Sequence, residues 1–124
     1  MTALAYHNYP TVTLVGTVAL AAATDGTVTP IITGIPKSFR VVKARVVFDD
    51  MGSAQTADIG FNGGDTFFDG IDTGTAAGSA TWEPADSAGV VNTSHNASIT
   101  FKNIGPAATG DVRLEVVGYL DYTV

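Results

Sequence analysis

Apolar side chains recur every second residue over most of this sequence, and nowhere at the spacing of an amphipathic helix. Val12, Leu14, Gly16, Val18 and Leu20 alternate with Thr11, Thr13, Val15, Thr17 and Ala19. Val42, Ala44, Val46 and Phe48 alternate with Val41, Lys43, Arg45 and Val47. Ile99, Phe101 and Asn103 alternate with Ser98, Thr100 and Lys102. Val112, Leu114, Val116, Gly118, Leu120, Tyr122 and Val124 alternate with Arg113, Glu115, Val117, Tyr119, Asp121 and Thr123. Successive side chains of an extended strand point to opposite faces, so the rhythm predicts strands with one buried face. The β-branched residues that dominate these runs favour the same conformation. The only helix-tolerant patch, residues 19–23, is too short to nucleate a helix alone.

Turn residues punctuate the rhythm. Thr24-Asp25-Gly26-Thr27 has the Asp-Gly signature of a tight hairpin. Residues 28–35 read as the returning strand, short and at an edge because Pro30 and Pro36 cannot donate to a ladder. Further strands are expected at residues 39–48, 56–61, 80–83, 89–92 and 97–103. Residues 65–79 read as a long Gly- and Asp-rich loop with Phe67, Phe68 and Ile71 as apolar anchors. The last strand is expected over 111–124. At ~3.3 Å per residue it would reach about 46 Å, long enough to require a bend or bulge at Gly118. Seven or eight strands without substantial helix predict an all-β, antiparallel β-sandwich or jelly-roll-like fold. The expected organisation is an N-terminal arm, residues 1–10, and one sandwich domain, residues 11–124.

Composition narrows the function. The chain has 124 residues and no Cys. It is long enough to bury a core without a disulfide or metal staple. A net charge of −6 argues against sequence-independent nucleic-acid binding. The apolar run at 12–23 is too short and too polar for a membrane span, and no basic segment precedes it as in a secretory leader. The sequons at Asn92 and Asn96 therefore read as polar loop. Absence of Cys fits a chain made in a reducing cytoplasm. Two His residues leave little material for a zinc site. Ser94, His95 and Asp86 have the chemistry of a triad, but triads are set by geometry and not by sequence neighbourhood. No catalytic, cofactor-binding or metal-binding residue is assigned, and no cofactor is expected.

Charge is segregated along the chain. Four of the six basic residues, Lys37, Arg40, Lys43 and Arg45, fall within nine positions. Between Val46 and Thr100 there are eight acidic residues and no basic ones. Either the two sets cancel in space, or they form a bipolar surface that docks on a partner. Asp65, Asp69 and Asp72, with Asn62 and Asp58 nearby, could give oxygen ligands to calcium. Equally, they are ordinary turn formers. Trp82 is a core or rim residue, or a platform for a sugar ring. The uncharged arm, with Tyr6 and Tyr9, is a candidate for docking on a neighbouring subunit, because Tyr is favoured at interfaces. Phe67 and Phe68 are adjacent, so one is expected to be buried and the other exposed at an interface. With Lys37 and Arg40, these residues complete the expected partner interface.

The segments Val46-Val47-Phe48-Asp49-Asp50, Ala57-Asp58-Ile59-Gly60-Phe61 and Asp65-Thr66-Phe67-Phe68-Asp69-Gly70-Ile71-Asp72 resemble small virion proteins of tailed bacteriophages. In those proteins a strand with an acidic end precedes a short Ile/Val-Gly strand and a loop of the Asp-x-aromatic-aromatic-Asp-Gly kind. Thr109-Gly110-Asp111-Val112-Arg113-Leu114-Glu115-Val116-Val117-Gly118-Tyr119 is similar to their closing strand. The resemblance covers about two-thirds of the chain. It implies a non-enzymatic decoration or cement protein on the outside of the head, with the major capsid protein as partner. A homotrimer would follow by analogy, because capsids offer threefold positions. A fibre or tail component, or a calcium-assisted carbohydrate-binding module, is the alternative.

Overall fold

The computed structural model describes residues 10–85 and 89–121. The arm with Tyr6, His7 and Tyr9, as well as Asp86 and residues 122–124, lies outside the described residues. Nine strands and no helix are found among those described. They are β1 Val12–Thr24, β2 Val28–Ile35, β3 Phe39–Phe48, β4 Thr56–Phe61, β5 Phe68–Asp72, β6 Gly78–Trp82, β7 Val90–Val91, β8 Ala97–Ile104 and β9 Ala107–Leu120. The antiparallel strands form two sheets. The first runs β1-β9-β3-β6, with the two-residue β7 also pairing with β3; the second runs β2-β8-β4-β5.

With β7 set aside, the pairings are nested. The outermost pair is β1 with β9, then β2 with β8, β3 with β6, and β4 with β5. The chain thus behaves as one long antiparallel ribbon wrapped over two sheets, which is the strand order of a jelly roll. The all-β sandwich is as the alternation dictates, with nine strands in place of seven or eight. β2 is an edge strand, as its prolines require.

The inward faces supply the core. Val112, Leu114 and Val116 of β9 are fully buried, as are Val41, Ala44 and Val46 of β3. Ala57 and Ile59 of β4, with Ile99 and Phe101 of β8, oppose them from the second sheet. Leu114 lies between Gly16 of β1 and Val46 of β3. Gly16 lets β2 come close: a Cβ there would stand 2.2 Å from the Ile31 carbonyl oxygen.

Several local expectations are corrected, each for a definite reason. The Asp25-Gly26 turn is tight, with Thr27 N donating to Thr24 O at 3.1 Å. It carries the chain from one sheet to the other, however, and makes no hairpin. Residues 19–23 are strand, because β9 pairs with them up to Thr24; an extra residue shifts the register between Leu20 and Ala23, with Ala22 at φ 51°. The same pairing starts β9 at Ala107, four residues before the expected start at 111. In β3 the phase changes: the register shifts between Val41 and Lys43, so Val41 turns inward with Ala44, Val46 and Phe48 while Val42 is only half-buried. The bulge expected at Gly118 is therefore housed on the neighbouring strand. Gly118 makes room for it, since a Cβ there would stand 2.2 Å from the Arg40 carbonyl oxygen. Finally, the stretch 65–79 is not one loop: it contains β5 and the start of β6.

Candidate interaction surface

The outer face of the first sheet carries the basic side chains of the chain's central strands. Lys43 and Arg45 of β3 point outward, and Arg113 of β9 lies beside Val47 in the ladder. Glu115, the ladder partner of Arg45, receives a 2.7 Å hydrogen bond from Arg113 Nη1. Lys43 Nζ lies 4.0 Å from Glu83. The outer face of the second sheet carries Asp58 on β4 and Asp69 and Asp72 on β5, turned away from the core, with Lys102 of β8 beside Asp58 in the ladder. Neighbouring acids thus neutralise much of the basic strand, while the acidic residues of β4 and β5 gather on the other sheet.

Arg40 belongs to neither face as a free cation. Its Nε donates to Asp121 Oδ2 at 2.7 Å, with the two side chains 15% and 8% exposed. This pair ties the start of β3 to the end of β9. Sequence reading placed Arg40 at an interface and missed Asp121; position 121 sits on the outward phase of the final run and gave no sign of burial. Lys37, in the turn before β3, is exposed.

Phe67 and Phe68 correct the expected interface more directly. Both are buried, at 6% and 5% exposure. The two side chains do not alternate, because Phe67 precedes β5 and is held by its N–H donating to Ile59 O at 3.0 Å. A register shift between Ala57 and Ile59 further breaks the alternation within β5. The Phe67 ring packs edge-on against Phe61 at 5.3 Å and against Trp82 at 4.9 Å. Trp82 is accordingly a half-buried rim residue that closes one side of the sandwich.

The acidic loop is organised as turns. Asp72 Oδ2 accepts from Thr75 Oγ1 at 2.6 Å, and Oδ1 accepts from Gly74 N at 2.9 Å and Thr75 N at 3.1 Å. The hydroxyl bond, then the backbone bonds, hold the Asp72 carboxyl below its ordinary pKa. Asp58 Oδ1 accepts from Gly70 N at 2.8 Å. Among the described residues, no three His, Asp or Glu side chains are grouped so as to hold a metal ion. Ser94 and His95 are exposed on the loop before β8. Asn92 is 3% exposed and works as a hub: its Nδ2 donates to Pro36 O at 3.0 Å and Ser94 O at 2.8 Å. The sequon there belongs to a structural asparagine, and not to a simple polar loop.

The surface of the described residues includes a trough and a groove. A shallow trough of about 460 Å³ crosses three adjacent strands, from Thr17 through Arg113 to Val47, and is bounded by Asp49 and Asp111. An apolar groove of about 210 Å³ lies where β1 begins, lined by Val12, Leu14, Ile32, Ile35, Phe39 and Leu120 among others. Val12 and Leu120 are 47% and 36% exposed there. The arm joins the domain beside this groove, at Pro10 and Thr11.

No protein-family model matches the chain. No curated protein matches its sequence. Solved structures do match. A chain of the cyanophage Pam1 capsid asymmetric unit superposes with a TM-score of 0.73 at 22% identity, over 91% of this chain and 86% of that one. A chain of the capsid of Ralstonia phage GP4 superposes with a TM-score of 0.72 at 16% identity, over 90% of this chain and 85% of that one. The chain shares its fold with proteins of phage capsids. The jelly-roll architecture read from the strand order is therefore matched over nearly the whole length of both chains.

Proposed function

We propose that this chain is a non-enzymatic structural protein of a phage virion, which binds the outside of the capsid and stabilises it as a decoration or cement protein. The observation that carries the reading is the near full-length fold match to chains of two phage capsids. The sequence resemblance to small virion proteins points the same way. Its partner in this reading is the major capsid protein, and the oligomer is a homotrimer seated at threefold positions of the shell.

The surface suits such a role. A decoration protein must be a compact domain with a face or arm that meets a repeated lattice. Weak contacts multiplied over many linked copies then stabilise the shell through avidity. Phe67, Phe68 and Arg40 serve the domain's own packing, which leaves three parts for contact. They are the arm with Tyr6 and Tyr9, the apolar groove at its base and exposed Lys37. In this reading the chain is made in the host cytoplasm and comes to lie on the capsid surface.

The test is to add purified protein to shells that lack it. Co-sedimentation that saturates at a fixed ratio to the shell subunit, with a rise in shell melting temperature, is expected. Protein that stays in the supernatant, or shells whose melting is unaltered at saturation, would rule the role out.

A further inference from the structure

Besides Asn92, Thr100 and Asp121, the interior of the sandwich holds a polar cluster at one end. There Gln55, Thr73 and Asn103 are 2%, 0% and 0% exposed. The strand register brings them together on inward positions of the second sheet. Thr73 N donates to Gln55 O at 3.1 Å, and Asn103 pairs with Ala57, two residues beyond Gln55. The two amides converge on Gly105. Asn103 Nδ2 lies 3.4 Å from Gly105 O, and Gln55 Oε1 would stand 2.6 Å from a Cβ at Gly105.

Three oxygens of this cluster, Gln55 Oε1, Thr73 Oγ1 and Asn103 Oδ1, have no hydrogen-bond partner among the described residues. The Asn103 amide has a fixed orientation, because its Nδ2 donates to Ala23 O at 2.9 Å. Its Oδ1 is therefore a genuine acceptor left over. A buried acceptor with no donor is costly, and native interiors rarely leave one, let alone three together. Small side chains border the cluster, since Ala57 is the ladder partner of Asn103 and is fully buried.

We infer that this end of the sandwich holds one internal water, bound by Asn103, Gln55 and Thr73. The hydrogen count fits. Two amide oxygens need two donors, and the threonine hydroxyl can supply one. A water donates twice and accepts from the hydroxyl, so all three oxygens are satisfied at once. A cation fits less well: the three are neutral and no carboxylate is among them, whereas calcium takes about 6–8 oxygens and usually a carboxylate. The water joins the β4–β5 end to the turn between β8 and β9. Asn103 extends that link to the end of β1, and Asp25 Oδ1 adds to it by accepting from Gly105 N at 3.1 Å. This also accounts for an asparagine at the position where the Ile99, Phe101 alternation calls for an apolar residue.

The test is a crystal structure of the full chain at a resolution that orders solvent, grown once with sodium and calcium salts and once with only tetramethylammonium as the cation. A single ordered peak within hydrogen-bond distance of Asn103 Oδ1 and Gln55 Oε1 is expected in both. A peak that disappears without metal salts, or amides that pair with each other across a closed site, would overturn the inference. As a second readout, oxygen-17 relaxation dispersion counts long-lived internal waters. Thr73→Val keeps the shape but removes the hydroxyl, and should release one such water or shorten its residence at least tenfold, while Thr73→Ser should not. An unchanged count and residence time in Thr73→Val would contradict the assignment.

Discussion

Leu114→Ala tests the inward face of β9. Leu114 is fully buried at the centre of the first sheet, with Gly16 on one side in the ladder and Val46 on the other. The substitution deletes three carbons, worth about 2.4 kcal/mol at ~0.8 kcal/mol per buried methylene. The cavity adds to this, because Gly16 offers no side chain to move in and both flanking strands are held by ladders. The expected cost is about 2–5 kcal/mol. For a chain of this size that is a fall in melting temperature of about 8–20 °C, at ~4 °C per kcal/mol. Urea unfolding should show a lower midpoint with an unchanged slope. Ser79→Ala, on the exposed phase of β6, is the control and should stay within about 0.5 kcal/mol. A Leu114→Ala cost below about 1 kcal/mol would refute the assignment of this face to the core.

Other predictions follow from particular contacts. Arg40→Leu removes the 2.7 Å charged hydrogen bond from the largely buried Asp121 carboxylate, and should cost about 3 kcal/mol in urea unfolding; a neutral result would show that the pair does not hold β3 to β9. Gly16→Ala drives a methyl into the Ile31 carbonyl and should cost at least about 1–3 kcal/mol, whereas wild-type stability would mean that β2 does not approach so closely. Asp72 has a lowered folded-state pKa, so its contribution is present above the ordinary carboxylate pKa and lost as pH falls through the folded value. Asp72→Asn should therefore flatten the acid side of the melting profile, and an unchanged profile would count against the turn bonds. Deleting residues 1–9 should leave the melting temperature of the domain nearly unchanged while weakening shell binding; an equal loss of domain stability would make the arm part of the fold.

The alternation made the fold legible because one face of each sheet is buried, and burial enforces a period of two. Where the reading failed, a backbone irregularity had reset the phase. One inserted residue near Val42 moved Val41 to the core, and another near Ala22 extended β1 through residues that look helix-tolerant. Phe67 was misjudged because it is placed by a bond to Ile59 before its strand begins. Asp121 and Asn92 could not be read as structural, because Arg40, which pairs with Asp121, and Pro36, which accepts from Asn92, are distant in sequence. The hairpin signature of Asp25-Gly26 was sound as a turn and silent about which sheet the next strand joins. Of the expected interface, Lys37 was recognisable as exposed, while the arm lies outside the described residues.

In the proposed role this chain is a repeated part of a capsid exterior. Quantitative mass spectrometry of purified particles of the phage that carries the gene tests it most directly. The expected result is a copy number in fixed proportion to the major capsid protein, with surface accessibility to a protein-labelling reagent on intact particles. Absence from the particles, or only a few copies in each, would contradict it.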